Sequence, residues 1–370
     1  MLLLKKFIEW KRSAMIEAIN SRDLALIKTL VDTPGVSGRE MLVAAAIKEA
    51  LPKEGWQVDL DAIGNLTARR TGIGKRIMFL AHMDEVGLLV RRITPDGFLK
   101  IERLGGISLH TMPGSALDLW TNLGHLNALV GALPAHLVNG QPSYPSGEDL
   151  YVDIGASSKE DALSLGVNIG DILTWKSDLC VLTNNRIRGK ALDNRLGCFA
   201  LIKFAELLDQ ETIDNDITLA FVVQEESMIF ESAPIMAKIN PDIVIGIDGT
   251  LPFDTPDVGE PQCDIALGNG PCIKLLDAIR GKTSYLPSWD LTRTIVKFME
   301  ERGISYQPEI VIGLSTALSL VPFMNMGIKT ACLSLPVRYH HSAVEVADVD
   351  DLLTLINLML ALVVEKVFED

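Results

Sequence analysis

The stretch Phe221-Val222-Val223-Gln224-Glu225-Glu226 decides how this chain is read. The run Ile217 to Val223 leading into it reads as a buried strand. Two adjacent carboxylates stand directly at its end. Neighbours on an extended strand point to opposite faces, but in an irregular turn beyond it both side chains can converge on one site. Two acids side by side repel unless a positive charge lies between them. A divalent metal supplies that charge: one Glu binds it, and the other is placed to take a proton from the attacking water. A lone Glu-Glu pair is most often two solvated acids on a loop, so the company it keeps decides the matter.

Three more apolar runs end on residues of the metal-ligand type. Ile77 to Ala81 ends at His82, Ile243 to Ile247 at Asp248, and Ala331 to Val337 is followed by His341. Asp193 adds a fifth position, at a strand-to-helix turn. In open α/β sheets, ligands bind beyond the carboxyl ends of the strands. Singly, His82 reads as a hydrogen-bonded core histidine, Asp193 as a helix cap, Asp248 as a turn residue and His341 as half of a surface pair. Together they read as one site. Carboxylates and imidazoles without thiolates suit zinc, cobalt or manganese. Two His and three acids suffice for two divalent ions if one acid bridges them. His82 and Asp84 sit at i and i+2, so Asp84 can hold the ring by its other nitrogen.

Around these positions the chain alternates strands with helices. We expect helices over 21–31, 37–50, 195–208, 288–302 and 348–368, with helical spacing also in 1–19. Ser21 or Asp23 is the cap of the first, and Ser37 with Glu40 the capping box of the second. A further helix is expected before residue 326. Alternation of this kind predicts a mixed α/β fold with a mostly parallel sheet covered by helices. Residues 86–178 differ: short strand-like runs at 87–93, 98–104, 126–131 and 172–176 are punctuated by glycines and prolines, with helical spacing only near 159–165. They read as a small β-barrel or sandwich, the barrel preferred, inserted into a discontinuous catalytic domain, 1–85 and 179–370. The segment 139–149 reads as a mobile loop.

The 370 residues carry a net charge of −14, which argues against nucleic acid and anionic membrane surfaces as partners. The five cysteines form no C-x-x-C pair, so neither a thiolate zinc site nor a disulfide framework is expected. The N-terminal apolar residues are broken by charge too early for a signal peptide or a membrane span. A cytoplasmic location is expected.

The motifs Ala81-His82-Met83-Asp84-Glu85-Val86-Gly87, Gly189-Lys190-Ala191-Leu192-Asp193-Asn194-Arg195, Gln224-Glu225-Glu226, Ile247-Asp248 and Arg338-Tyr339-His340-His341-Ser342 resemble those of the tetrahedral dinuclear-metal aminopeptidases. That family includes the glutamyl aminopeptidases and members once labelled endoglucanases. Tyr151 to Ala156, with Gly166, Gly170 and Asp171, is similar to its inserted domain. The resemblance implies that Asp193 bridges two metals, with a cis bond to Asn194. It implies that His82 and Asp248 complete one metal's shell, Glu226 and His341 the other's. Glu225 is then the general base and Asp84 the partner of His82. It further implies short peptide substrates and dimers, formed through the inserted domain, that assemble into a twelve-subunit tetrahedral particle. The sequence departs from the family in two places. Ser227-Met228-Ile229-Phe230-Glu231-Ser232 replaces a run of small residues, and Ile312 to Ala317 lacks the acid of a Gly-Thr-Asp stretch. A related hydrolase with a rebuilt pocket, such as a deacylase, and a metal-binding assembly subunit without turnover are the competing expectations.

Overall fold

The computed structural model describes residues 18–137, 150–176, 178–227, 230–278 and 284–369. The expected helical spacing in 1–17 and the loop 139–149 lie outside the described residues. The chain opens with α1 (Ser21–Asp32) and α2 (Met41–Ala50), followed by the hairpin β1 (Gln57–Leu60) and β2 (Leu66–Arg70), and by β3 (Arg76–His82). The strands β4 (Gly87–Ile93), β5 (Leu99–Leu104), β6 (Ala116–Thr121), β7 (Gly124–Val130), β8 (Val152–Asp153) and β9 (Ile172–Trp175) close into an antiparallel barrel, with α3 (Lys159–Ser164) at its side. The remainder returns to the first sheet: β10 (Cys180–Val181), β11 (Arg186–Gly189), α4 (Leu192–Leu208), β12 (Asp216–Val222), α5 (Ala233–Ile239) and β13 (Ile243–Thr250). Then come β14 (Cys272–Ala278), β15 (Ser284–Tyr285), α6 (Trp289–Arg302), β16 (Gln307–Ile310), β17 (Lys329–Arg338), β18 (Glu345–Asp348) and α7 (Val349–Val364).

The fold class is the one expected from the sequence. Among the described residues the large sheet has 12 strands. Its centre, β12-β3-β13-β17, is parallel, and antiparallel strands flank it. Parallel strands covered on both faces read as unbroken apolar runs; β12 and β13 are buried at every position and β3 at all but its first. The helix α4 is buried almost all round, as a helix must be when it packs against the sheet on one side and α7 on the other. Its Phe204 ring lies against Phe79 of β3, with centroids 4.9 Å apart. A fully buried side chain of that size contributes about 1.5–3 kcal/mol by leaving water. The barrel has a separate apolar core, including Leu88, Leu117, Val130 and Leu173.

Four local expectations are corrected. The cap of α1 is Asn20, whose side chain accepts from the Arg22 and Asp23 amides, and Asp23 completes the capping box. The helix α2 starts at Met41, and Ser37 and Glu40 form no capping box on it; both side chains are drawn into tertiary contacts instead. Before residue 326 there is only the short 3-10 turn Val321–Phe323, because Pro322 removes a backbone donor there. The strand ending at Asp248 runs on to Thr250. Two barrel strands, β6 and β8, were not anticipated: β6 carries Asp118 and Trp120 among its apolar residues, and β8 is only two residues long.

Candidate metal centre

The parallel strands β12, β3, β13 and β17 all point their carboxyl ends at one place. His82 is the last residue of β3; Glu225 and Glu226 follow β12; Asp248 lies near the end of β13; His341 follows β17. Asp193 enters from the neighbouring β11, at the start of α4. The sheet order thus brings together residues separated by up to most of the chain.

Asp193 lies at the middle. Its Oδ1 is 3.4 Å from His82 Nε2, and its Oδ2 is 3.5 Å from His341 Nε2. Asp248 Oδ1 lies 3.5 Å from His82 Nε2, and Glu226 Oε1 lies 3.0 Å from His341 Nε2. Glu225 Oε2 is 4.0 Å from His82 Nε2. The donor atoms of His82, Asp193 and Asp248 fall within 4.8 Å of one another, and so do those of Asp193, His340 and His341. One carboxylate, Asp193, is therefore shared by two candidate clusters. Asp193 Oδ1 and Glu226 Oε1 are buried yet accept no hydrogen bond. A buried carboxylate oxygen is rarely left so, and a cation among these donors would satisfy both. The donor set fits a divalent metal of the zinc, cobalt or manganese type.

The site's backbone is held in sparsely populated conformations. Ala191, Gln224, Tyr339 and His341 all have φ between 52° and 60°, although none is glycine. Each sits beside or at a candidate ligand, and such strain persists only where surrounding structure imposes it. Glu345 of β18 is one restraint: its Oε2 accepts from the Asp193 amide at 3.1 Å and its Oε1 from the His341 amide at 2.8 Å. Burial raises its carboxyl to about 7. The peptide bond Asp193-Asn194 is cis, as the resemblance implied. Arg195, fully buried, donates to the Met83 carbonyl at 2.7 Å and the Thr33 carbonyl at 2.8 Å. Lys190 Nζ donates to Glu85 at 2.6 and 2.8 Å. These charges replace lost hydration with direct partners, and they bind the His82 segment to the Asp193 segment. A Cβ on Gly249 would come within 2.7 Å of Asp193 Oδ1, so only glycine lets β13 approach the shared carboxylate. The barrel contributes as well: His341 Nδ1 lies 3.3 Å from the Gly106 carbonyl.

The charges act strongly on one another. Burial disfavours the His82 imidazolium, but Asp193, Asp248 and Asp84 outweigh it and hold its pKa well above the usual value. Burial likewise opposes His341, yet Glu226 and Asp193 raise it. Burial pushes Asp193 up, but His340, His341 and His82 hold it well below the usual range. Glu225 goes the other way: burial, then Asp248, Glu226 and Asp84, raise it well above the usual range against His82. Burial raises Asp248 too, but it is Glu225 whose surroundings push it well above the usual range.

All seven residues singled out from the sequence are brought together. Asp84 does more than anticipated. Its Oδ1 is 3.4 Å from His82 Nδ1, while its two oxygens also accept the Glu225 and Glu226 amides at 3.0 and 3.1 Å. Sequence reasoning missed His340, whose Nε2 lies 3.0 Å from Asp193 Oδ2 and whose ring stacks on His341 at 4.1 Å. The doubled histidine was the available signal, and it reads equally well as a surface pair. Glu345 gave no signal, since its task is to accept backbone amides.

Residues 64–358 match the M42 glutamyl aminopeptidase family. The chain belongs to that family. Such a match over most of the chain makes it a peptide-bond hydrolase of the aminopeptidase type, and M42 peptidases are metal-dependent. It is similar to the putative aminopeptidase SgcX of Escherichia coli K12, 35% identical over 90% of this chain and 91% of that protein. It is 30% identical to the lysyl aminopeptidase of Pyrococcus furiosus, covering 93% of this chain and 97% of that one. It is also similar to the solved TET1 peptidase of Pyrococcus horikoshii, described as assembling into a tetrahedron or a large octahedral shell. There the TM-score is 0.81 with 33% identity, over 93% of this chain and 99% of that one.

A cavity of about 180 Å³ opens over this M42 site, walled by Gly106 on one side and Gly313, Leu314 and Ser315 on another. Thr316, in the segment that departs from the family pattern, donates to the buried Asp277 at 2.8 Å and is itself buried. Glu231, in the other departure, is buried with neither carboxylate oxygen partnered. Its pKa is pushed up to about 8 by burial, with Asp84 adding to it. A folded pKa raised above the unfolded one stabilises the fold at low pH, and that contribution is lost as pH rises towards 8. We expect Glu231→Gln to gain on the wild type by on the order of 2–5 kcal/mol between pH 4 and pH 9, read from urea melts across that range. An unchanged difference between the two proteins would show that the carboxyl is hydrated.

Proposed function

We propose that this M42 protein is a dinuclear metalloaminopeptidase that removes N-terminal residues from short peptides. The carrying observation is that Asp193 presents one oxygen to the His82 and Asp248 side and the other to the His341 and Glu226 side. His82, Asp248 and Asp193 would hold one ion, and Glu226, His341 and Asp193 the other. When bound, two such ions polarise the substrate carbonyl and make the attacking water more acidic.

Every other part belongs to the chain. Glu225, at the rim of the cavity, accepts the water's proton and returns it to the leaving amine. Asp84 orients His82 through Nδ1 and fixes the turn that carries Glu225. The cavity is smaller than the roughly 300–1,000 Å³ of drug-sized sites, which suits one residue and its free amine. The walls at Gly313 to Ser315 carry no acid, so an uncharged N-terminal side chain is the preferred occupant. Zinc is the first choice of metal, with cobalt and manganese also suited to the donors.

The relative's assembly supports a homo-oligomer, built from dimers into a dodecamer, and the barrel exposes Leu123, Leu133, Leu137 and Ile169. All five cysteines are free, which supports a reducing, cytoplasmic setting. Among the described residues no helix is long and apolar enough to cross a membrane.

The test is a panel of aminoacyl anilides, dipeptides and N-acylated amino acids with protein loaded with zinc, cobalt or manganese. Cleavage of free-amine substrates, lost on chelation and restored by metal, is expected. Cleavage of N-acyl substrates alone would replace the reading with a deacylase, and no turnover on any member would leave a binding subunit.

A further inference from the structure

We propose that the turn Ser37-Gly38-Arg39-Glu40 is a positioning clamp for the catalytic Glu225, with Glu40 as its principal member. This rests on the reading of Glu225 as general base. The turn lies near the start of the chain, 184 positions from its target, and its side chains do not cap the helix they precede.

The geometry is specific. Gln224 is in the left-handed region, with φ 60°, a conformation unfavourable for any residue but glycine. Its amide and the next two each donate to a carboxylate, and successive N–H groups left free in this way gather anions. Two carboxylates fill it. Glu40 Oε1 accepts the Gln224 amide at 2.9 Å. Asp84 accepts the Glu225 and Glu226 amides at 3.0 and 3.1 Å. The turn Ser37 to Glu40 then ties the two together. Ser37 Oγ donates to Asp84 Oδ2 at 2.6 Å, and the Gly38 amide donates to the same Glu40 oxygen at 2.6 Å.

Glu40 is buried, and among the described residues its side chain accepts from the Gly38 and Gln224 amides rather than bonding a candidate metal ligand. The residues just before the turn are tied to the chain just beyond β3: Val36 bridges to Glu85, and the Glu85 amide donates to the Gly35 carbonyl at 2.9 Å. The clamp is thus anchored on the segment that carries His82 and reaches across to the segment that carries Glu225. It sets the distance between the base and the histidine side of the site.

The consequence is catalytic rather than cohesive. A displacement of about 1 Å at a reacting group costs on the order of 10²-fold in rate, far more than the loss of one hydrogen bond does to folding. In the full-length protein, Glu40→Ala should lower kcat on a cleaved aminoacyl anilide by about 10²-fold. KM and the number of bound metal ions should stay within about twofold of wild type. Glu40→Gln, which keeps the accepting oxygen, should recover most of the loss. Independently of activity, hydrogen exchange at the Gln224, Glu225 and Glu226 amides should speed up in Glu40→Ala and not in Glu40→Gln.

Exchange at those amides unchanged in Glu40→Ala would overturn the clamp, whether or not the wild type turns over. So would faster exchange with kcat intact, or a Glu40→Gln variant no better than Glu40→Ala. A wild type without peptidase activity, with the exchange result as expected, overturns the general-base reading and with it the clamp's catalytic role. If Glu40→Ala does not accumulate folded, Glu40→Asp carries the same test, because it keeps the charge and withdraws the oxygen by one methylene.

Discussion

We expect Glu225→Gln to lower kcat by about 10²–10⁴-fold, the usual contribution of a positioned general base, and to leave metal content and melting temperature at wild-type values. The substitution keeps the shape and one accepting oxygen, so packing changes little. What it removes is a group lining the cavity whose surroundings favour carrying a proton. Burial and the neighbouring Asp248, Glu226 and Asp84 raise Glu225, whereas the histidines hold Asp193 low. Two carboxyls with opposed shifts in one site divide the work between a proton carrier and a fixed anion. Steady-state kinetics with metal-loaded protein, alongside metal analysis of the same preparation, decides the matter. A variant within about threefold of wild type, against the 10² expected of a base, removes Glu225 from the mechanism.

Asp193→Asn should abolish tight binding at both metal positions together, and activity with it. A single oxygen would replace two, and a donating amide would face either His82 or His341 where a carboxylate oxygen now lies 3.4 or 3.5 Å away. Loss of an outer partner of a ligand costs about 10–100-fold in metal affinity, and loss of a shared ligand should exceed that at each position. His82→Ala, by contrast, strikes only the position it shares with Asp248. Titration calorimetry with zinc or cobalt reads the difference: two weakened ions for Asp193→Asn, one for His82→Ala. Retention of one tight ion in Asp193→Asn would mean that the carboxylate does not bridge.

Much of this site was legible along the chain because the parallel sheet imposes a rule. Apolar runs that lead into His82, Glu225 and His341 reveal where strands stop, although the strand through Asp248 runs on to Thr250, and strand ends in such sheets share an edge. The barrel was legible in outline for the opposite reason, as short strands broken by Gly and Pro. Its two least apolar or shortest strands escaped notice, since two residues of β8 carry no period at all. The helix expected before residue 326 failed on Pro322, where spacing was read and the missing donor was not.

The error about Glu40 has a physical cause. A side chain that accepts a backbone amide can serve its own helix or a distant turn, and local spacing does not say which. Glu40 accepts the amide of Gln224 rather than capping α2, and Glu345 accepts those of Asp193 and His341.

The mixed α/β class, the barrel in the middle of the chain and, His340 apart, the acids and imidazoles that face the cavity could be read along the chain, because burial patterns and strand ends are written locally. Folding alone puts Asp193 between two clusters, brings Gly249 so near it that a Cβ would crowd the carboxylate, and sets Glu40 and Glu345 on the amides of the strained turns. Those facts depend on which strands lie side by side, and sheet order is set by packing between segments hundreds of residues apart, which no local pattern encodes.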